Sequence, residues 1–522
     1  MSSIPHACSD RAASTAECFD VLFIGAGISG IGGAYHLRQQ SPRRSFAILD
    51  EQDSFGGTWW THRYPGIRSD SELYTFGYRF KPWVGAPIAT AEEILKYLGE
   101  VVQENGLDRH IRYKHRVLSA SWSTQDARWT VKGVRTDTQE PFIVHARFLW
   151  MGQGYYHHDK GYIPEWPGMA DYRGTLIHPQ QWPEDLDIGG KRVVLIGSGA
   201  TAATVIPAIA GRCAHVTMLQ RSPTYFKTGR NANELADMLR GLSIPEEWVH
   251  EIVRRKLLKE QQDVVDAAFS SPEELRERLL AGVLEHLGSQ EMVDRHFTPR
   301  YLPWRQRIAF VPDGDLFKAM RSGDASVVTD EIARFEADGV RVKSGDLLKA
   351  DIVVAATGLE LAVMGGIAFT VDGRPVDFSQ TVMYRGAMFT GVPNLLWVFG
   401  YFRASWTLRV DLLGDFFCRL LAHMDQQQAT RVVPRLRPED AGMQMLPWVE
   451  PSSFNPGYLT RVMDRMPRQG SQSPWQHTQD YWRDSEELPA ASLNDGALVY
   501  GGGPRSASRT LSSREAAAQD LA

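Results

Sequence analysis

Two glycine-rich turns are the strongest chemical signal in the chain. They are Gly25-Ala-Gly27-Ile-Ser29-Gly30 and, far downstream, Gly197-Ser198-Gly199-Ala200-Thr201-Ala202. Each comes after a short apolar run and opens a helical pattern. In such a turn the first glycine permits the tight bend and the second lets the backbone approach a pyrophosphate. The third position, glycine or another small residue, lets helix and strand pack closely, and the helix N-terminus offers free N–H groups to the anion. One such turn is a weak signal. Two in one chain imply two dinucleotides that meet, and so redox chemistry, most simply a flavin reduced by a nicotinamide.

The strand after each turn separates the two. After the first turn, the strand pattern Ser45–Leu49 ends at Asp50, where an acid can grip a ribose hydroxyl. After the second, the helix pattern Ala200–Ala210 leads to His215–Leu219, which ends in Gln220-Arg221-Ser222. A carboxylate there would repel a 2′-phosphate, whereas the Arg221 guanidinium can fork onto one. The first unit is therefore assigned FAD and the second NADPH. The predicted fold is α/β, with two Rossmann-like dinucleotide-binding domains.

The elements that position these turns order themselves along the chain. Residues 1–18 and 500–522 read as flexible tails. Residues 19–152 form the first part of the FAD domain, with strand-like Ile111–Val117, hairpin-like Ser119–Val134 and a closing strand at Phe148–Trp150. Residues 153–230 are a connector and the first part of the NADPH domain. Residues 231–299 are charged and helically periodic, for example Leu275, Leu279, Leu280, Val283 and Leu284, and read as a helical insertion. Strand patterns return in 300–364, the second part of the NADPH domain. Residues 365–499, with strand Leu395–Phe399 and helix Ser405–Leu421, rejoin the FAD domain.

Composition sets bounds. The chain has 522 residues and a net charge of −5, so no nucleic acid or other polyanion partner is implied. Its four cysteines, Cys8, Cys18, Cys213 and Cys418, form no CxxC and no metal-ligand spacing. That argues against a metal site, a disulfide framework and a dithiol flavoreductase, and Cys8 and Cys18 are expected to lie inert in a tail. The first eighteen residues carry no secretory pattern, and no apolar run approaches a membrane span. A cytoplasmic protein is expected, with peripheral membrane contact left open.

Three further stretches bear on the class. They are Gly56-Gly57-Thr58-Trp59-Trp60-Thr61-His62-Arg63-Tyr64-Pro65-Gly66-Ile67-Arg68-Ser69-Asp70, then Tyr172-x-Gly174-x-x-x-His178-x-x-x-Trp182-Pro183, and Trp304-Arg305-Gln306-Arg307. In this order, between two nucleotide turns, they resemble the type I Baeyer–Villiger monooxygenases, whose signature is Phe-x-Gly-x-x-x-His-x-x-x-Trp-Pro. Tyr172 replaces the Phe and keeps an aromatic. The match is closest to the ethionamide-activating branch, through Arg63–Asp70, Ile177–Asp187, Val216–Tyr225 and Gly400–Leu408, and it spans roughly residues 19–480.

The resemblance implies that NADPH reduces FAD and that O₂ adds to give a C4a-peroxyflavin. This species attacks a hydrophobic ketone to form an ester or lactone, or oxidises a sulfide or thioamide. It places the catalytic arginine at Arg307, with Arg305 as the alternative, and the acid that orients it at Asp70. A peroxy anion needs a fixed cation in a water-poor site, and arginine cannot be deprotonated at neutral pH. The resemblance also puts Gly57, Thr58, Trp59, Trp60 and Thr61 around the flavin, with Ser29, Asp50 and the Val117 backbone on FAD and Arg68 and Ser69 facing NADP⁺. Relatives often carry lysine just before the catalytic arginine. Here it is Gln306, which leaves the 2′-phosphate more to Arg221. His178 and Trp182 read as structural. Trp59, Trp60, Trp304 and Trp406 are candidate walls of an apolar pocket. An N- or S-oxygenating flavin monooxygenase, which does not need Arg307, and a redox-linked binding flavoprotein are the competing readings. The Trp-Pro ending of the signature favours the Baeyer–Villiger type.

Overall fold

A computed structural model describes residues 16–502. The first glycine turn sits at the end of the buried strand Cys18–Ile24, and the helix Ile28–Gln40 begins at once. Gly25 adopts φ +99°, and a Cβ there would stand 2.6 Å from the Gly152 carbonyl oxygen. A Cβ on Gly30 would fall 1.8 Å from the Gly25 oxygen, so the third glycine is required by helix-on-turn packing. Phe46–Leu49 pairs in parallel with one side of Cys18–Ile24, and Pro141–Met151 with the other.

Two successive partners occupy the outer edge of Pro141–Met151. Arg128–Arg135 pairs antiparallel with its first half, as the second arm of a hairpin with His115–Ser123. Leu395–Trp397 then runs parallel to Leu149–Met151. This late strand, and the buried helix Trp406–Gln426 after it, belong spatially to the first nucleotide unit. The helix lies against Ile28–Gln40, where the buried His36 ring meets Asp411 at 2.9 Å.

The second unit is a five-stranded parallel sheet in the order Ala325–Thr329, His215–Gln220, Arg192–Ile196, Ile352–Ala355, Thr175–Ile177. Between Phe226–Gly229 and Ala309–Pro312 the chain forms four helices in succession: Glu234–Gly241, Glu246–Ser270, Pro272–Leu287 and Gln290–His296. Phe226–Gly229 before them pairs in parallel with Ala309–Pro312 after them, so the excursion leaves and returns at one place.

Two ends differ from the expectation. Cys18 pairs with His145 and opens a strand, so the expected tail stops short of it. Leu498–Gly501 pairs antiparallel with Arg431–Pro434, so the chain is still ordered at residue 501. Both are pairings with segments distant in sequence, which local composition does not encode. Cys8 and the outer parts of both expected tails fall outside the described residues. Ile111–Val117 is also broken at Tyr113-Lys114, where Lys114 has φ +60°.

Three histidines are sealed into this fold. Burial, the largest influence on each, lowers His62 and His250 to about 4 and His477 to about 3, against an ordinary value of 6.5. All three are neutral when folded and protonate near 6.5 when unfolded, so unfolding takes up protons and stability falls as pH drops from 6.5 toward 4. His36 is raised: burial opposes its charge, but hydrogen bonds to Asp411 and Asp415 outweigh that. Its contribution is fully present below 6.5 and is lost only as pH rises through its raised folded value, so it does not change between pH 6.5 and 4. The three lowered histidines therefore act alone of the four in that window, and the melting temperature should fall from pH 6.5 to 4, with proton uptake on unfolding. Calorimetry in buffers of different ionisation enthalpy measures both; proton release over that range would refute the assignment.

Candidate functional site

Both glycine turns open on one cleft of about 500 Å³. Gly25, Gly27, Ile28 and Ser29 line one end, and Gly199, Ala200 and Thr201 the other. Each turn delivers a helix N-terminus, at Ile28 and Ala200, whose cap is a glycine with no capping side chain and whose first turn has no acid. The free N–H groups and the helix dipole are thus left for an anion. Gly57 approaches Gly27 so closely that a Cβ on Gly57 would stand 3.1 Å from the Gly27 Cα. This is a backbone cradle on the wall of the cleft.

Polar atoms in the cleft await partners. Both ends of the Gln153 amide, His158 Nδ1 and His62 Nε2 are buried without a hydrogen bond in the protein, and all three residues line the cleft. Buried polar groups are rarely left unpaired, so these atoms fit a polar ligand such as a dinucleotide. Asp50 lines the same end. Its carboxylate accepts from the Ala26 N–H at 2.6 Å and the Gln52 N–H at 2.8 Å. Burial raises its pKa, against the pull of these two N–H groups. Thr58, Trp59 and Thr61 also face the cleft, and the Thr58 hydroxyl meets the Tyr156 hydroxyl at 2.5 Å.

Several residues expected at the cofactors lie off the cleft. A single helical turn, Thr58–Thr61, turns adjacent side chains about 100° apart. Trp59 points in. Trp60 points out, donates to Asp53 at 2.9 Å and carries Arg63 over its ring. Ser69 alternates with its neighbours in an extended segment, and its N–H and hydroxyl bond Ala89 while Arg68 and Asp70 face the cleft. Val117 is in the hairpin and packs on the sheet's apolar layer. Gln220 is buried and donates to the His296 carbonyl and the Thr329 hydroxyl. Gly30, Gly197, Ser198 and Ala202 shape the turns without lining the cleft. The Ser198 hydroxyl bonds the Ser222 carbonyl at 3.0 Å. Arg221 is exposed, just past the end of strand His215–Gln220.

The structure brings Asp70 and Arg307 together although they are 237 residues apart in sequence. Arg307 Nε donates to Asp70 Oδ2 at 2.6 Å, and Nη2 to Oδ1 at 2.7 Å, a two-pronged contact. Asp70 comes from the first unit. Arg307 lies just before the strand Ala309–Pro312, beside the second. Burial works against the charge of Arg307, but Asp70 outweighs it and holds the guanidinium above its ordinary value. The side chain still exposes 41% of its surface, because it faces open volume. That volume is on two sides. Asp70, Ser71, Arg307 and Ala404 line the cleft and also a second cavity of about 610 Å³.

The second cavity is walled on one side by the helices Glu246–Ser270 and Pro272–Leu287, through Leu257, Val264, Leu275 and Leu279. Ile308, Phe310, Phe402 and Trp304 complete its apolar walls. Arg305 lines neither space, whereas Gln306 lines the cleft. Trp406 lies in the cleft, stacks on Tyr155 and donates to the Ser29 hydroxyl at 2.8 Å. Arg68 reaches across the units to Asp315 at 2.5 Å and to the Ala203 carbonyl. His178 is a latch: its ring bonds the Gly358 carbonyl and accepts from the Gln180 N–H.

Sequence reasoning missed Gln153, Tyr155, His158 and Tyr458, all in the cleft. The first three come after the closing strand, in or just beyond the run Gly152-Gln-Gly154, a strand-end turn whose two glycines were a readable signal. Tyr458 lies in the single helical turn Gly457–Thr460, too short to show a period.

Residues 24–84 match the family model for an NAD(P)-binding Rossmann-like domain, and residues 87–234 that for flavin-binding monooxygenase-like proteins. Over 486 residues the chain is 46% identical to the FAD-containing monooxygenase EthA of Mycolicibacterium smegmatis, covering 93% of this chain and 97% of that protein. It is 44% identical over 484 residues to the probable FAD-binding monooxygenase AlmA of an Acinetobacter species, covering 92% and 96%. Among solved structures, a steroid monooxygenase bound to NADP superimposes with a TM-score of 0.67 at 23% identity, over 81% of this chain and 88% of that one. An open form of cyclohexanone monooxygenase does so with 0.66 at 23%, over 81% and 90%.

Proposed function

The chain belongs to the FAD-containing monooxygenases represented by EthA, AlmA and MymA, and from that premise we propose that it inserts one oxygen atom of O₂ into hydrophobic ketones, giving esters or lactones, with sulfides and thioamides as further substrates. It is an NADPH-dependent flavin enzyme. The observation that supports the ketone reading best is the Asp70–Arg307 pair on the wall shared by the cofactor cleft and the apolar cavity.

The residues of the cleft fit the two cofactors. FAD would be held at the Gly25–Gly30 turn by Ser29, Asp50, Gly57, Thr58, Trp59 and Thr61. NADPH would be held at the Gly197–Ala202 turn by Arg68, and by Arg221, from outside the cleft, at its 2′-phosphate. Bound FAD, once reduced by NADPH, supplies activated oxygen. Asp70 accepts from Nε–H and one Nη2–H of Arg307 and fixes the plane of the fork. The remaining N–H groups of Arg307 are preorganised for negative charge that develops on oxygen during attack on a carbonyl. The apolar walls keep water from that charge and strengthen the interaction. A sulfur substrate needs less of this support, since no oxyanion develops on it.

The test of this reading is NADPH oxidation by the yellow holoenzyme with a panel of linear, cyclic and aryl ketones, with products identified by mass spectrometry. Oxidation stimulated by ketone, with ester or lactone formed, supports it. Sulfur or nitrogen oxygenation with no ester from any ketone overturns it.

Cofactor choice gives a second expectation. Arg221→Ala should weaken NADPH by roughly 1–3 kcal/mol, the value of a charge-assisted contact, and leave NADH unchanged. Inhibition constants for NADP⁺ and NAD⁺ read this directly. Equal losses for both would move the 2′-phosphate site elsewhere.

A further inference from the structure

Arg403 lies in the loop between strand Leu395–Trp397 and helix Trp406–Gln426, and lines the apolar cavity with Arg307. The two arginines are treated differently by their surroundings. Arg307 is closed by a carboxylate, as is the deeply buried Arg409 by Asp484. Arg403 has no ion pair among the described residues. Its Nη2 donates to the Ser453 carbonyl at 2.6 Å, the Ser453 hydroxyl at 3.0 Å and the Trp304 carbonyl at 3.3 Å. Its guanidinium carbon lies 5.1 Å from the centre of the Phe269 ring and 5.5 Å from that of Phe454. Nε is buried with no hydrogen-bond partner. Burial, and after it the nearby Arg305 charge, lower its pKa to about 10, so it stays protonated at neutral pH.

A half-buried cation without an anion is costly, and such a group in a cavity is a candidate for a ligand that supplies the missing charge. Phe269, Phe454 and the carbonyls hold the guanidinium in place. They do not neutralise it. Four acids also line the cavity, Asp70, Glu72, Glu260 and Glu285, and among the described residues none of them forms an ion pair with Arg403. The cavity therefore presents a cationic end at Arg403, an apolar wall, and the Arg307 fork at the cofactor boundary.

We propose that Arg403 is a specificity-determining residue that binds a carboxylate, so that the preferred substrates are apolar ketones bearing an acid group, such as oxo fatty acids. The inference rests on the proposed ketone chemistry for the reacting carbonyl, and on Arg403 alone for the anion. Nη2 is taken by Ser453 and Trp304, so Nη1, which meets no protein acceptor among the described residues, is left to bind a carboxylate by a charge-assisted hydrogen bond.

The test uses the FAD-loaded enzyme with NADP⁺ and three probes: a medium-chain oxo acid, its methyl ester and the plain ketone of equal length. Dissociation constants come from equilibrium dialysis. The acid should bind at least about tenfold tighter than its ester, the value of one charge-assisted contact. In Arg403→Gln the acid-to-ester ratio should fall to about one, and in Arg403→Lys it should be partly kept. FAD content and melting temperature identify a variant that has lost its fold, in which case the wild-type acid-to-ester ratio decides alone. Equal binding of acid and ester by the wild type overturns the proposal. So does an unchanged ratio in a folded Arg403→Gln. Acid-selective binding without ester formation from any ketone would instead remove the ketone reading and leave this one standing.

Discussion

Arg307→Ala should abolish ester formation while leaving FAD bound and reducible by NADPH. Hydride transfer to the flavin needs no cation at the substrate carbonyl, so the reductive half should survive. Removing one preorganised donor to a developing oxyanion in a dry site costs on the order of 3 kcal/mol or more of barrier, about a hundredfold or greater loss in rate. NADPH should then be consumed slowly, with its electrons released as hydrogen peroxide. Arg307→Lys should be nearly as poor, because a compact ammonium cannot both satisfy the two Asp70 oxygens at 2.6 and 2.7 Å and present a second donor face. Asp70→Ala should be milder, because Asp70 sets the orientation of the fork without meeting the oxygen itself. Rapid mixing of NADPH-reduced enzyme with O₂, then product analysis, separates these cases. Ester formed by Arg307→Ala at a near wild-type rate would mean that the essential cation lies elsewhere.

Valine substitutions in the two glycine turns should separate the cofactors. A Cβ on Gly199 would meet no protein atom within 4 Å, and one on Gly27 would meet only Gly57 at an ordinary 3.5 Å. Both positions line the cleft, so a side chain there intrudes on ligand space more than on the fold. Gly27→Val should therefore yield folded protein poor in flavin. Gly199→Val should keep its flavin and lose reduction by NADPH. Losing a pyrophosphate's backbone contacts is worth several charge-assisted hydrogen bonds, so each effect should approach complete loss of one cofactor. Flavin absorbance of the purified variants and anaerobic reduction rates read both. An empty flavin site in Gly199→Val, with flavin retained in Gly27→Val, would reverse the assignment of the two units.

The parts of this architecture legible in the sequence are those fixed by local chemistry. The turns at Gly25 and Gly197 announce themselves because bend, anion approach and helix packing all act within a few residues. Period and length mark Glu246–Ser270 and Pro272–Leu287 as helices. The Asp70–Arg307 contact is different. Nothing in the local pattern of either segment points to the other, and only family resemblance singled them out. Trp60 and Ser69 show a further limit: a motif identifies a stretch, but helical turn or strand alternation decides which of two neighbours faces the ligand. Arg403 and Tyr458 sit in a loop and a single helical turn that show no period, and their importance comes from what the fold places opposite them. The pairings of Cys18 and Gly501 were hidden for the same reason.

Oxygen insertion itself is open to a single turnover under isotopically heavy O₂. Wild-type enzyme, loaded with FAD and reduced by one equivalent of NADPH, is mixed with a hydrophobic ketone and the labelled gas. The product should be an ester or lactone carrying one labelled oxygen, in the ring or ester position, with the other atom appearing in water. Labelled hydrogen peroxide with the ketone recovered intact, across ketones that bind the holoenzyme, would contradict a Baeyer–Villiger role for the Asp70–Arg307 site.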